Sequence, residues 1–127
     1  VEFFEKLTPQ QAQNLNAAVL AYVGDAVQSL YVRQRLALQH DCNAHGLHQM
    51  ASAEVNAHSQ AVKIQQISQI LTSEEQEVFL RGRNVKAHHK AKNQSGSDYR
   101  KATGLEALLG YLYLTGNIER IKQLLEV

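Results

Sequence analysis

One cysteine, one proline, one methionine and no tryptophan occur among the 127 residues. The lone Cys42 has no internal partner, so a disulfide-stapled secreted scaffold is excluded and a reducing, cytoplasmic setting is expected. A single proline and seven glycines leave no room for a collagen-like, Pro-rich or low-complexity architecture. Long apolar runs are also missing: 17–23 stops short of Asp25, 105–114 is interrupted by Glu106, and both fall below the ~20 residues that span a bilayer. The opening VEFFEK mixes acids and aromatics where a secretory leader would be basic and then apolar. With 44% hydrophobic residues and a net charge of +1, the chain has enough core-forming material to fold and too little charge to be disordered. One soluble domain over 1–127 is expected, since the length is too small for two.

Apolar residues recur at helical spacing and nowhere show sustained period-two alternation, which predicts an all-α fold. Asn14 is placed to cap a long central helix running to about Leu38, with Leu15, Val19, Val23, Val27 and Leu30 on its inner face. A connector over 40–47 precedes a helix over 52–70. Thr72 and Glu75 form a capping box that opens a short helix ending near Leu80 or Arg83. The pattern then dissolves into a polar loop over 84–98, long enough to be functional. An apolar helix follows over 99–115. Asn117 is placed to cap a last one, with Ile118, Ile121, Leu124 and Leu125 inward.

Two acids stand where hydrophobic residues belong. Asp25 lies in LAYVGDAVQSLYV and Glu106 in GLEALLGYLYL. An ionised carboxylate in such surroundings costs several kcal/mol unless it is paired, hydrogen-bonded or bound to a cation. Ala18 and Ala21 precede Asp25, and Ala102, Thr103 and Gly110 lie within about a turn of Glu106, so another helix, a metal or a phosphate can approach closely. Two readings follow: each acid bonds a helix end or a buried arginine, or both contribute to one acidic site.

The near-neutral total hides an asymmetry. Seven of the thirteen basic residues fall within 81–101, where Asp98 is the only acid, so that span carries +6 and the remainder −5. Such a segment is either solvated surface or a grip on phosphates, in which Lys and Arg neutralise charge while amides add hydrogen bonds. Hydrolysis of a phosphodiester calls for a divalent cation, and Mg²⁺ takes one or two carboxylates plus water and substrate oxygens. Acids for a metal and bases for a backbone therefore make a coherent pair. A competing metal signal is Cys42, His45 and His48, whose C-x-x-H-x-x-H spacing matches no usual structural zinc pattern.

LAYVGDAVQSLYVRQRL resembles the signature helix of the ribonuclease III catalytic domain, and RGRN followed by GLEALLGYLYLTG resembles its second acidic helix. The short length and the spacing from RGRN to YRKATGLEAL resemble the Mini-III branch, which lacks a double-stranded RNA-binding domain. The resemblance covers about 15–115. It implies a homodimeric, Mg²⁺-dependent endoribonuclease that cuts double-stranded RNA and matures the ends of precursor 23S ribosomal RNA. By position, Asp25 and Glu106 match the family's catalytic and metal-binding acids. Ala18, Ala21 and Thr103 stand where further family acids lie, which favours fewer metals per site or, as the alternative, a non-catalytic RNA-binding or ribosome-assembly module. On the enzymatic reading Arg81, Arg83, Asn84, Lys86, Lys92 and Arg100 grip backbone phosphates and Thr103 orients a water. Without a binding domain, affinity for RNA is expected to be modest, which leaves a role for a ribosomal protein as helper.

Overall fold

A computed structural model of the chain describes residues 5–85 and 96–127, and within them every regular element is helical. The helices are α1 (Pro9–Gln13), α2 (Ala17–Gln39), α3 (Ala44–Glu54), α4 (Ala57–Ile67), α5 (Ser73–Arg83), α6 (Gly96–Leu114) and α7 (Ile118–Leu125), with a 3₁₀ turn, Ser68–Ile70, after α4. The all-α expectation holds.

Local capping explains most boundaries. Thr8 and Gln11 form a capping box ahead of Pro9, and this short helix displaces the expected cap: Asn14 closes α1, while Asn16 Oδ1 opens α2 by accepting from the Ala18 N–H at 2.8 Å. The expected single helix over 52–70 is two. Asn56 divides them, donating from Nδ2 to the Ser52 and Ala53 carbonyls behind it and accepting from the Ser59 N–H ahead. Asn43 Oδ1 likewise caps Gly46, so helix begins inside the stretch expected to be a connector. The Thr72–Glu75 box forms as expected, and Arg120 of α7 adds two 2.8 Å bonds to the same Glu75 carboxylate. Asn117 makes no side-chain cap, and Ile118 beyond it faces outward.

The central element is α6, not α2. Nine of its residues are buried, on all sides of its second half, and it touches α1, α2, α4, α5 and α7. Around α6 the inner face of α2 is Leu20, Ala21, Gly24, Gln28, Val32 and Leu36, whereas Val19 and Leu30 are exposed and Val23 and Val27 only half-buried. The expected stripe is thus rotated. Size explains the rotation: a Cβ on Gly24 would sit 1.6 Å from the Glu106 carbonyl oxygen, and one on Gly110 would sit 1.9 Å from that of Leu20. The backbones of α2 and α6 touch, and larger side chains are excluded from the line of contact. On its other flank α6 meets α5 in the same way, through Gly104 against Phe79 and Gly82 against Ala107.

Candidate active site

The α2–α6 crossing brings the two acids together. Gly24 lies against the backbone of Glu106, so Asp25, one residue on, is placed beside the Glu106 side chain, and the two carboxyls are within hydrogen-bond reach. Asp25 is exposed and Glu106 is half-buried. Burial raises the Glu106 carboxyl, a hydrogen bond from Gln60 lowers it, and the charge and hydrogen bond of Asp25 raise it again, leaving it at about 7.

No lysine or arginine among the described residues pairs with either acid; the ion pairs there are Arg35–Glu54, His58–Asp98 and Arg120–Glu75. Of the two readings open at the sequence, neutralisation of each acid by its own arginine does not occur. A third helix supplies the neutral partner. Gln60 of α4, itself buried, donates from Nε2 to Glu106 Oε2 at 3.2 Å and to Gln28 Oε1 of α2 at 2.7 Å.

A groove of about 190 Å³ runs from Asp25 between α2 and α3, with Ser29, Arg33 and His48 on its walls. Arg33 is exposed and carries no ion pair among the described residues. Sequence reasoning missed Gln28, Gln60 and Arg33. The signal for Arg33 was available, since it lies two helical turns beyond Asp25 on the same face. For the glutamines there was none, because helix neighbours from α4 cannot be read from periodicity.

The remaining expected site residues divide into groups. Arg81 donates to the carbonyls of Gln13 (3.1 Å) and Leu15 (2.8 Å), fastening α5 to the α1–α2 junction. Arg83, Asn84 and Arg100 are exposed at the end of α5 and the start of α6, so they share one end of the α5–α6 pair. Lys86 and Lys92 lie outside the described residues, as does most of the loop expected over 84–98, although helix is already present from Gly96. Thr103 donates its hydroxyl proton to the Tyr99 carbonyl at 3.0 Å, leaving its oxygen able only to accept. Cys42, His45 and His48 are exposed, and among the described residues no three His, Cys, Asp or Glu side chains gather to hold a metal.

Comparison with known proteins identifies the family and the fold. Residues 18–117 match the family model described as Ribonuclease III domain. A Mini-ribonuclease 3 from Thermoanaerobacter sp. (strain X514) is 42% identical over 127 residues, covering 100% of this chain and 89% of that protein. Another, from Streptococcus pneumoniae, is 43% identical over 112 residues, covering 87% and 88%. A crystal structure of a Fusobacterium nucleatum protein superposes with a TM-score of 0.81 at 30% identity, over 89% of this chain and 90% of that one. A ribonuclease III helical scaffold, two-thirds of whose residues or more align with proteins named for the activity, places the chain in the ribonuclease III domain family of endoribonucleases, in its Mini-ribonuclease 3 branch.

Proposed function

We propose that this endoribonuclease is a cytoplasmic homodimer that uses Mg²⁺ to cut double-stranded RNA and matures the ends of precursor 23S ribosomal RNA, with Asp25 and Glu106 as its catalytic, metal-holding acids. The observation that carries the metal reading is the juxtaposition of two carboxyls with which no cationic side chain among the described residues forms an ion pair. Two carboxylates with one open to solvent suit Mg²⁺, which keeps several waters and takes few protein ligands. When bound, the cation supplies the positive charge that acidifies an attacking water and stabilises the leaving oxygen. Glu106 would hold the cation from its half-buried position and Asp25 from its exposed one. Arg33 receives a backbone phosphate along the groove, while Arg83, Asn84 and Arg100, together with Lys86 and Lys92, take others. Arg81 has three further N–H groups to offer this grip while it keeps its two carbonyl bonds. Thr103, already donating to Tyr99, orients a water only as an acceptor.

Dimerisation is supported by α2. Val19 (46% exposed), Tyr22 (81%), Ala26 and Leu30 (66%) project from one face of the helix that carries Asp25. A two-fold axis through this face would set two acid pairs against the two strands of one duplex. The alternative, a non-catalytic RNA-binding module, drew its support from Ala18, Ala21 and Thr103. Ala21 is buried in the α2–α6 interface, so its small size has a packing reason that needs no loss of activity.

The deciding experiment is Asp25→Asn, which removes a charge and almost no volume from an exposed position. Cleavage of an RNA duplex in Mg²⁺ should fall by at least about a thousandfold, of the order set by losing about 4 kcal/mol of transition-state stabilisation, with the melting temperature and RNA binding in EDTA unchanged. Parent-like cleavage would remove Asp25 from the metal site. Mapping the cuts on a precursor of 23S ribosomal RNA, with and without ribosomal proteins, tests the substrate and the helper.

A further inference from the structure

Gln60 and Gln28 are buried polar side chains that carry no chemistry of their own and lie away from the solvent-exposed edge of the acid pair. Gln60 Nε2 has two hydrogens, and both are used: one goes to Glu106 Oε2 at 3.2 Å, the other to Gln28 Oε1 at 2.7 Å. An ionised Glu106 can only accept, so it requires the nitrogen side of the Gln60 amide. Turning that amide over would set its carbonyl oxygen against two acceptors. Gln28 therefore prevents the flip, and Gln60 in turn fixes one oxygen of Glu106.

We propose that Gln60 is a positioning residue for the acid pair: by engaging Glu106 Oε2 from the buried side it turns Oε1 toward Asp25, with Gln28 locking the amide that does so. The inference rests on the metal reading above and extends it to the side of the site that no cation touches. It also accounts for a buried amide pair where two leucines of similar volume would pack without any polar atom to satisfy. Three helices, α2, α4 and α6, are thereby coupled to the orientation of one carboxylate.

Gln60→Leu keeps the volume and removes the donor. In the full-length chain, Mg²⁺ affinity measured by calorimetry should fall by about tenfold or more, the effect usual for a lost outer-shell partner. The affinity for an RNA duplex in EDTA should stay at its parental value while the melting temperature falls by the cost of leaving Gln28 Oε1 without its donor, and a residue that only fills space would leave Mg²⁺ binding alone. If Gln60→Leu unfolds because Gln28 is left unpaired, Gln28→Leu combined with Gln60→Leu replaces the pair with hydrocarbon and carries the same prediction. Unchanged Mg²⁺ affinity in either folded variant overturns the proposal. Asp25→Asn and Glu106→Gln, titrated alongside, separate the two readings. If they lose Mg²⁺ binding and Gln60→Leu keeps it, only the role of Gln60 falls; if they keep it, the metal reading falls and takes this one with it.

Discussion

Glu106, half-buried, and Glu75, buried, both touch other side chains, yet their environments push their carboxyls in opposite directions. Burial would raise both. At Glu75 the bonds from Arg120 and Thr72 outweigh it and hold the carboxyl below its usual range. Glu106 has no such cation among the described residues, and burial with Asp25 beside it leaves it at about 7 against an ordinary 4.5. The signs for stability follow. Glu75 is more acidic in the fold, so its contribution is full above its ordinary value and is lost as pH falls below it. Glu106 holds its proton more tightly in the fold, so its contribution is full below about 4.5 and is lost as pH rises through 7. At ~1.4 kcal/mol per pKa unit, the rise of Glu106 amounts to at most roughly 3.5 kcal/mol, less for its partial contact with water. In EDTA the melting temperature should therefore decline between pH 5 and pH 8, and Glu106→Gln should flatten that decline. A slope that persists in Glu106→Gln would locate the titrating group elsewhere.

At the scale of elements, the site is a by-product of how closely α2 and α6 approach. Leu20 and Gly24 on one helix meet Gly110 and the Glu106 backbone on the other, and the acids sit at the edge of that contact. Gly24→Ala puts a methyl group where the Glu106 carbonyl oxygen stands, a backbone atom that cannot swing aside. The helices must separate. Overpacking of this kind costs about 3 kcal/mol and here also moves Asp25 away from Glu106. Chemical denaturation should show the loss of stability, and cleavage should fall even under conditions where the variant is fully folded. Parental activity in folded Gly24→Ala would mean that the acids do not need this spacing.

For the whole molecule, two surface features remain after the fold has buried its core. One is the basic end of the α5–α6 pair, where Arg83 and Arg100 are exposed within the stretch 81–101 that carries +6 in sequence against −5 elsewhere. The other is the apolar face of α2 around Tyr22. The two lie on different elements, so one molecule can use its basic end for RNA while the α2 face meets a second copy. Tyr22→Asp leaves the monomer core untouched because the side chain is 81% exposed. Sedimentation should then shift from a dimer to a monomer at micromolar concentration, with double-strand cutting lost. A variant that still sediments as a dimer would move the interface off this face.

Much of this protein was readable from its residues in order. Helical periodicity, the Thr72–Glu75 box and two carboxylates in apolar segments are local facts, and local facts survive folding because capping and burial act over one or two turns. The motifs around Asp25 and Glu106 carried the family for the same reason. What the chain order could not supply was contact between distant turns. Which face of α2 is inward depends on α6 passing close enough to demand Gly24 and Ala21 rather than Val19 and Leu30, so side-chain size, not hydrophobicity, chose the face. Asn16 caps α2 in place of Asn14 because Thr8 and Gln11 open a short helix that Asn14 closes, and Asn56 splits one expected helix into two by bonding to both. The partnership of Gln60 with Glu106 joins residues 46 apart in sequence across two helices, and only tertiary packing, which sets side chains from different helices within hydrogen-bond distance, could decide it.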